Sequence, residues 1–522
     1  MTSFYEELNK TSKVGDDKEN AKSRANVDKW IFRLLLLLIG VMPLIVLASV
    51  EQVVSPLISN VSELSSGMKG DLFTHYKALF LVTITVITGA MLLFKIYFMD
   101  GQIRKTPFNY VIGLFVVAII LSTVFSPNIT VALDGLYNHS DGAVSWLCYL
   151  ALMFIAMNID YPKNVTKYVM YTMIPFVFIN LFITTMNFYG KDLLQYSWMQ
   201  KLVSIALPEG ANLTAGSTLV GTLNQWNYMS GMFAMMVVMY VAWAIVEKSW
   251  VHSVVGVITA VAALAVMFMS ISTSGFLAVL LLLPVLLVLI FKVQHKKQAA
   301  MMFVIFIGIS APIFHILAEK DDRVWGESFG FFLGNNPYQD EEPVAVEQHT
   351  NSTFTWDNTV YAAEQALELP VLPERGLAFG SGRGYIWQET WELVQDRPLI
   401  GYGSDTLLYN FPHFQLESRG ALNWEEIVTD KPHNVYIGVL YGMGILGFIA
   451  MVALVIFQGL KLLQQLFSSK GNLATIVLGV GVTAYFIQAM FNDSLPGITT
   501  VAFVLFGVMI SMISNSKGES KN

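Results

Sequence analysis

About twelve apolar runs, each close to the length of a bilayer span, divide most of the chain. A membrane-crossing helix needs roughly 20 apolar residues. Only 13% of the 522 residues are charged, against about a quarter in soluble proteins. The runs predict an all-α polytopic membrane protein and exclude a soluble enzyme. The predicted spans are residues 30–50, 77–98, 109–126, 143–159, 165–188, 228–247, 252–270, 275–292, 299–318, 434–460, 473–491 and 498–514.

The distribution of Lys and Arg among the short loops predicts which side faces the cytoplasm. With the N-terminus inside, the short outer loops carry only Lys69, Lys191 and Lys201. Both termini are then cytoplasmic, with residues 1–29 as a disordered tail and residues 515–522 as a second tail. The cytoplasmic side carries Lys10, Lys13, Lys18, Lys22, Arg24, Lys29, Arg104, Lys105, Lys163, Lys248, Lys296, Lys297, Lys461, Lys470, Lys517 and Lys521.

One acidic block, residues 319–432, interrupts this pattern. It holds 20 acidic and 7 basic residues, whereas the other 408 residues hold 18 acidic and 24 basic ones. On the predicted topology it is a large extracytoplasmic loop between spans one to nine (30–318) and spans ten to twelve (433–514). A loop this long is functional or disordered. Its second half contains a predicted amphipathic helix at 384–396, on the membrane surface or over the bundle.

Several functional classes lack their characteristic residues. No Asp or Glu falls near the centre of a predicted span, which disfavours an ion-coupled carrier. The single Cys148 excludes a disulfide scaffold, and the charge distribution does not suit a nucleic-acid binder. No metal-ligand spacing, P-loop or nucleophile elbow occurs, so neither a metal ion nor a cofactor is expected. The scattered acids Glu51 and Asp71 leave a metal-dependent alternative open.

His433 is the strongest candidate for chemistry. It precedes the tenth span, near the positive end of a helix dipole, which favours a neutral imidazole. A neutral imidazole that faces the outside is a suitable general base. Asp430 could orient this ring, and Lys431 and Asn434 lie beside it. The structural alternative is that His433 and Asn434 cap a membrane helix.

Arginines and glycines around the amphipathic helix form a second candidate. Arg383 near a helix N-terminus suits an anionic oxygen ligand such as a phosphate. Arg397 follows the helix, and Gly401 and Gly403 allow a tight turn or a close approach to a substrate. The alternative is that both arginines pair with acids of the loop, which is the favoured interpretation for Arg397.

Polar residues also open the sixth predicted span, in the motif Gly221-Thr-Leu-Asn-Gln-Trp-Asn227. Asn224 and Asn227 can bond sugar hydroxyls, and Trp226 can stack on a sugar ring. Helix capping with an interfacial aromatic belt explains them equally well. The motif Ser272-Thr-Ser-Gly275, between spans seven and eight, is more typical of helix packing.

These motifs, taken in order, resemble the bacterial O-antigen ligase/polymerase superfamily of GT-C type membrane glycosyltransferases. The resemblance adds Pro398-Leu-Ile-Gly-Tyr-Gly403 and Asp430-Lys-Pro-His-Asn434 to those above. It implies that His433 is catalytic and that Arg383 holds a lipid diphosphate. Two departures alter the expected diphosphate clamp: relatives often carry an arginine where this chain has Ser274, and another where it has His139.

The resemblance implies metal-independent transfer of a polyprenyl-diphosphate-linked glycan to a glycan or lipid-linked acceptor. The reaction would occur at the outer face of the bacterial cytoplasmic membrane, among membrane lipids, with flippase and chain-length-control proteins as possible partners. Arg397, Arg419 or Lys431 would assist Arg383, and Asp430 and Asn434 would contact substrate.

Three questions about function stay open in the sequence. A polymerase and a ligase are not separated, although the overall resemblance favours a polymerase. A flippase or exporter without chemistry is the main alternative, but it should line a mid-membrane cavity with charges. A receptor or scaffold fits the acidic loop and leaves the outer polar motifs unexplained.

Overall fold

Helices make up most of the protein in the residues that the computed structural model describes, namely 2–59, 61–208, 218–223, 225–339, 383–413 and 428–519. The α-helices are α1 (Thr2–Val41), α2 (His75–Phe98), α3 (Pro107–Val124), α4 (Ile129–Asp134), α5 (Ala143–Met157), α6 (Val165–Phe188), α7 (Ser197–Val203), α8 (Trp226–Val246), α9 (Trp250–Met269), α10 (Thr273–Lys292), α11 (Lys296–Lys320), α12 (Arg323–Gly326), α13 (Gly330–Leu333), α14 (Arg383–Asp396), α15 (Leu407–Asn410), α16 (Val435–Phe467), α17 (Leu473–Gln488) and α18 (Pro496–Glu519). One-turn 3₁₀ helices lie at Met42–Leu44, Ser62–Leu64 and Leu193–Gln195. The strands of the described ranges, β1 (Ser49–Val53) and β2 (Gly67–Asp71), form an antiparallel hairpin in which Ser49 faces Asp71.

Nine helices in the described residues are long and apolar enough to cross a membrane: α2, α3, α6, α8, α9, α10, α11, α16 and α18. The protein is therefore a multi-pass, mostly helical membrane protein. Two of the predicted runs, 143–159 and 473–491, correspond to the shorter apolar helices α5 and α17. Twelve spans stay a prediction, because length and composition support nine.

The first predicted span, residues 30–50, is helical over only part of its length. Helix α1 ends at Val41, and a 3₁₀ turn that contains Pro43 follows it. Proline has no backbone N–H to continue a helix and favours such an end. The chain then enters β1 at Ser49, so the second half of the predicted span is corrected to a turn and a strand.

The structure places residues 2–29, predicted to be a disordered tail, within α1. Polar contacts dock the second half of this stretch against the end of α2. The Asp28 carboxylate lies 2.6 Å from Lys95 Nζ, and both side chains are buried. The Arg24 guanidinium donates to the carbonyl oxygen of Met99. A buried ion pair and a charged hydrogen bond can order a segment whose composition alone predicts disorder.

Helices α8 and α18 form the centre of the bundle. In each, 94% of the apolar stretch is buried inside the protein. Helix α8 packs against α9, α10 and α17, and α18 packs against α5. Glycines allow the closest approaches: a Cβ on Gly275 would lie 2.5 Å from the carbonyl oxygen of Ser230, and one on Gly507 would lie 2.4 Å from that of Met153. Small residues at such crossings are typical of membrane helices.

Helices α2, α5, α8, α10, α16 and α18 all begin at one end of the bundle, which we call the site end. Hydrogen bonds between their first turns or the preceding loops show this arrangement. The Lys77 ammonium, in α2, donates to the carbonyl oxygen of Thr222, which precedes α8. The Ser230 hydroxyl, in α8, donates to the carbonyl oxygen of Ser272, which precedes α10. The predicted loop motifs therefore gather at the site end.

The segment 398–403 is bound to a kink in α16. Gly444 has φ 65° and ψ −168°, which interrupts the helix. The freed amide of Ile445 donates to the carbonyl oxygen of Pro398 at 2.8 Å. Gly401 and Gly403, which were expected to turn or to approach a substrate, both have positive φ and approach α16. These glycines therefore fix a loop on a helix.

Replacing Gly444 with alanine should destabilise the protein. The new Cβ would lie 2.3 Å from the carbonyl oxygen of Leu399, and the φ of 65° disfavours any side chain. We expect a loss of at least about 2 kcal/mol, measured as a lower thermal midpoint in detergent. Gly459→Ala, on the same helix with nothing within 4 Å of the new Cβ, is the control. Equal midpoints for the two variants would contradict this account of the kink.

Candidate active site

His433 pairs with a buried carboxylate at the site end. Its Nδ1 lies 2.8 Å from Oδ2 of Asp493, in the turn between α17 and α18. The Asp493 side chain is 4% exposed and that of His433 is 33% exposed, so the carboxylate is enclosed and the ring is accessible. No residue in the described ranges hydrogen-bonds Nε2 of His433. Asp493 therefore orients the ring with its proton on Nδ1 and leaves Nε2 able to accept one.

The backbone around His433 has an uncommon conformation. Its φ is 52°, in the left-handed region, which costs a non-glycine residue about 1–2 kcal/mol. The next residue stabilises this turn. Asn434 Oδ1 accepts hydrogen bonds from the amides of Tyr436 and Ile437, which caps α16. Asn434 Nδ2 donates to the carbonyl oxygen of Met490, so Asn434, predicted to contact substrate, caps the helix and joins it to the turn after α17.

Arg383 begins α14, and this helix lies against the loop that carries His433. The predicted amphipathic helix at 384–396 is confirmed, starting one residue earlier. The Trp387 indole donates to the carbonyl oxygen of the residue before His433, at 2.7 Å. Burial lowers the pKa of Arg383 from its ordinary value, and the nearby Asp493 carboxylate opposes that shift. The structure thus brings Arg383 and His433 together around Asp493.

Opposing effects set the pKa of His433. Burial lowers it, whereas the Asp493 carboxylate and the Asp430 carboxylate raise it, and Arg383 lowers it again. The net result is a pKa above the ordinary value. The helix position had predicted a neutral ring, and the buried carboxylate outweighs that effect because it contacts the imidazole directly. His433 is therefore a stronger base than an isolated histidine.

A second cluster lies beside this pair, and we call it the buried ion network: His139, Asp141, Asp405, Asp430 and Lys431. His139 bridges two carboxylates, with Nδ1 2.9 Å from Asp405 Oδ1 and Nε2 3.1 Å from Asp430 Oδ2. Lys431 Nζ lies 3.4 Å from Asp141 Oδ2 and 3.6 Å from Asp405 Oδ1. Two cations therefore bind three carboxylates from three separate loops.

The network corrects two assignments made from the sequence. Asp430, expected to orient His433 or contact substrate, instead pairs with the ring of His139, and Asp493 orients His433. Lys431, expected to assist Arg383, has a nearly buried side chain. Its ammonium also donates to a backbone carbonyl in the α17–α18 turn at 3.0 Å. A lysine enclosed by carboxylates neutralises them and cannot extend to a diphosphate.

His139 carries a positive charge at neutral pH. Burial lowers its pKa, but Asp405 and the hydrogen bonds to Asp405 and Asp430 outweigh burial and the opposing Lys431, giving a pKa of about 9. His139 thus supplies a cation where relatives often have an arginine. Its ring nitrogens both bind carboxylates, so its charge holds loops together and does not face a substrate.

Arg397 does not join Arg383. Its guanidinium donates to the carbonyl oxygen of Phe125 at 2.9 Å and lies over the ring of Tyr402. Arg383 and Arg397 flank opposite ends of the 14-residue helix α14, roughly 20 Å apart. They cannot both contact one diphosphate. The alternative that Arg397 pairs with loop acids stays a prediction, because 11 of the 20 acids of this block lie outside the described residues.

The polar stretch before α8 lies at the site end, but only part of it is described. Trp226 is the first residue of α8, and its ring is partly exposed. The Asn227 carbonyl oxygen accepts a hydrogen bond from Asn492, next to Asp493 in sequence. Asn224 and Arg419, both predicted to contact substrate, lie outside the described residues and stay predictions.

Ser274, where relatives often carry an arginine, holds the turn that carries Asp493. Its hydroxyl lies 3.2 Å from Asn492 Nδ2 and 3.1 Å from the Ser272 hydroxyl. These contacts agree with the packing role that the sequence favoured for this motif. Of the predicted cations Arg383, Arg397 and Lys431, Arg383 is thus the one that stays a candidate to bind a diphosphate near His433.

Asp493 is the main residue that the sequence analysis missed. It lies between two apolar runs, in the short polar turn Asn492-Asp493-Ser494 ahead of Pro496. The predicted topology already put this turn on the outer side, with His433. An acidic residue in a turn between two predicted spans, on the same side of the membrane as a candidate base, can therefore be predicted as a partner of that base. Asp405 offered no such signal, since 19 other acids share its block.

Comparison with protein families gives a match over the central part of the chain. The family model described as O-antigen ligase matches residues 258–452. This range runs from within α9 into α16 and includes both Arg383 and His433. It ends before the turn that carries Asp493. No curated protein shows significant similarity to the chain.

The raised pKa of His139 predicts a pH-dependent stability. A group whose pKa rises from 6.5 to about 9 on folding stabilises the protein fully below about pH 6.5. This contribution, about 3 kcal/mol, is lost as the pH rises through 9. The thermal midpoint in detergent should therefore fall between pH 6.5 and 9.5. His139→Gln should lower the midpoint at pH 6 and flatten this dependence.

The matched control for that measurement is His315→Gln. His315 contacts the hydroxyl of Tyr338, and no carboxylate pairs with it among the described residues. This variant should keep the pH dependence of the wild type. A wild-type midpoint that is constant from pH 6.5 to 9.5 would contradict the charged state assigned to His139.

Proposed function

We propose that the protein is a membrane glycosyltransferase of the O-antigen ligase/polymerase superfamily, which is supported by the match of residues 258–452 to the family model described as O-antigen ligase. The donor is a glycan linked to polyprenyl diphosphate, and the acceptor is a hydroxyl group of a glycan or of a lipid-linked sugar. The reaction takes place at the outer face of the bacterial cytoplasmic membrane. The observation that carries the proposal is the His433–Asp493 pair with Arg383 beside it.

His433 is the general base of the proposed reaction. Its Nε2 takes the proton from the acceptor hydroxyl as that oxygen forms a bond to the anomeric carbon of the donor. Asp493, 2.8 Å from Nδ1, stabilises the imidazolium that results. The bond from the anomeric carbon to the diphosphate oxygen breaks, and polyprenyl diphosphate leaves with the electron pair. A positioned base of this kind contributes about 10²–10⁴-fold to the rate.

Arg383 offsets the charge that develops on the leaving diphosphate. A guanidinium at a helix N-terminus presents planar donors to phosphate oxygens, and the helix dipole adds to the attraction. Because Arg383 is partly buried, its charge is screened less than that of a fully exposed arginine. Charge compensation by an arginine is consistent with a metal-independent reaction. Activity should then persist in the presence of a chelator.

The orientation of the protein follows from where the basic residues lie. Arg104 donates to the carbonyl oxygen of Met157, at the end of α5, so it lies at the end opposite the site end. That end also receives the short loops rich in Lys and Arg. The positive-inside tendency then puts it in the cytoplasm with both termini, and puts His433 outside. A polyprenyl-linked glycan would meet the site after transfer across the membrane, which suits a flippase and a chain-length-control protein as partners.

A deletion strain separates polymerase from ligase. We favour a polymerase, which extends a lipid-linked glycan, and expect single repeat units to accumulate on the lipid carrier in that strain. Long chains accumulating on the lipid carrier would indicate a ligase that moves finished glycan to another acceptor. A normal glycan size profile would contradict both.

His433→Ala should abolish glycan transfer and leave the protein in the membrane. The variant lacks the proton acceptor, and we expect a rate loss of about 10²–10⁴-fold in an assay with purified donor lipid. His315→Ala is the control because it removes another histidine near the outer loop and leaves the Asp493 pair intact. Full activity of His433→Ala would contradict the role of this residue.

The pH profile of the rate tests the partnership of His433 and Asp493. A base acts when deprotonated, so the rate should rise with pH through the pKa of His433, which lies above its ordinary value. Asp493→Asn removes the carboxylate that raises this pKa. The rising limb should therefore move to lower pH, with a lower maximal rate. An unmoved limb would mean that Asp493 does not act through His433.

A further inference from the structure

A cavity of about 420 Å³ opens among the loops and helix starts of the site end. Its walls come from three segments: the end of β2 with the residues after it, the loop with Tyr137 and Asn138, and the stretch before and into α8. The third wall includes Thr218, Gln225 and Trp226. We call it the hairpin cleft. Volumes of a few hundred Å³ are typical of sites that bind small molecules or parts of larger ligands.

The chemistry of the hairpin cleft suits a sugar. Trp226 contributes a partly exposed aromatic ring, whose face can pack on the C–H groups of a pyranose. The side-chain amides of Asn138 and Gln225 have no hydrogen-bond partner among the described residues, and neither has the indole N–H of Trp226. An amide offers both donors and an acceptor, which matches neighbouring hydroxyl groups. One face of Tyr137 is less available, because Lys69 Nζ lies 5.2 Å from its ring centre.

Residues that follow the walls of the cleft in sequence contact carboxylates of the active site. Tyr137 is two residues from His139, which contacts Asp430, and a two-residue stretch spans at most about 7 Å. Trp226 is two residues from Tyr228, whose hydroxyl donates to Asp493 at 3.4 Å. Two walls of the cleft are therefore joined through short stretches of chain to the carboxylates Asp430 and Asp493.

The hairpin cleft and Arg383 belong to different segments of the chain near His433. Asp430 contacts His139, which follows the cleft residues Tyr137 and Asn138 directly in sequence. Arg383 begins α14, which is bonded to the loop before His433 through Trp387, and none of the residues that line the cleft belongs to α14. In a displacement the attacking oxygen and the leaving oxygen flank the anomeric carbon. If Arg383 holds the leaving diphosphate, the attacking hydroxyl has to come from another direction.

We infer that the hairpin cleft binds a sugar of the acceptor and directs its hydroxyl to His433. The inference rests on the proposed transferase function. Trp226 supplies the stacking surface, Asn138 and Gln225 bind hydroxyls, and the donor occupies the Arg383 side. The cleft is thus an acceptor subsite, built largely from segments outside residues 258–452.

Direct binding measurements test the acceptor subsite. The probe is the repeat-unit glycan released from its lipid carrier by mild acid, titrated calorimetrically into the full-length protein in lipid nanodiscs. Trp226→Ala should weaken binding at least about 10-fold, as loss of a central aromatic contact does. Trp226→Phe should recover part of the affinity. Trp198→Ala, which removes another exposed tryptophan outside the cleft, should bind like the wild type.

Kinetics with donor and acceptor varied separately give the second test. Asn138→Ala, at a partly exposed position that leaves the core intact, should raise the acceptor KM about 5-fold, as loss of a hydrogen bond does, with an unchanged donor KM. A raised donor KM alone would contradict the acceptor assignment. Undetectable glycan binding by the wild type, or unchanged binding by folded Trp226→Ala, would overturn the cleft as a glycan site.

The two hypotheses fail separately. His433→Ala should be inactive and still bind the probe glycan with wild-type affinity. An active His433→Ala protein would overturn the proposed chemistry, whereas binding lost in Trp226→Ala would still identify the cleft as a glycan site.

Discussion

The buried ion network is the interaction on which the geometry of the site end depends. Three aspartates in a low-dielectric environment would repel one another and cost several kcal/mol each if unpaired. Lys431 and His139 bind them, with His139 within 3.1 Å of two carboxylates. The loops that carry these residues therefore assemble together or leave buried charges unpaired. His433 follows Lys431 by two residues, so its position is fixed by the same contacts.

The helical bundle and the buried ion network have different roles in the structure. In the hydrocarbon region the chain satisfies its backbone within helices, which leaves the helix starts and loops at one end to carry the chemistry. There, Asp493 orients His433, Arg383 supplies the positive charge, and the hairpin cleft offers aromatic and amide groups. The acidic block of residues 319–432 contributes Arg383 to the site, but its acidity does not mark the site. Its aspartates at 405 and 430 are instead neutralised by local cations.

The sequence predicted the parts whose signal is local. Apolar length predicted the helices, and the amphipathic pattern predicted α14 to within one residue at its start. Proximity in sequence suggested Asp430 as the partner of His433, whereas the partner is Asp493, 60 residues away. No local pattern encodes such a long-range pair. The prediction of one helix over residues 30–50 was wrong for a different reason. The apolar composition continues past Pro43, but the helix ends before it.

A structure of the protein with its lipid-linked donor and its acceptor bound would show whether His433 acts on the acceptor and Arg383 on the diphosphate. We expect the acceptor hydroxyl within about 2.6–3.2 Å of His433 Nε2, with Nδ1 still on Asp493 and the diphosphate against Arg383. A diphosphate held away from Arg383, or an imidazole that contacts the diphosphate and not the acceptor hydroxyl, would contradict this expectation.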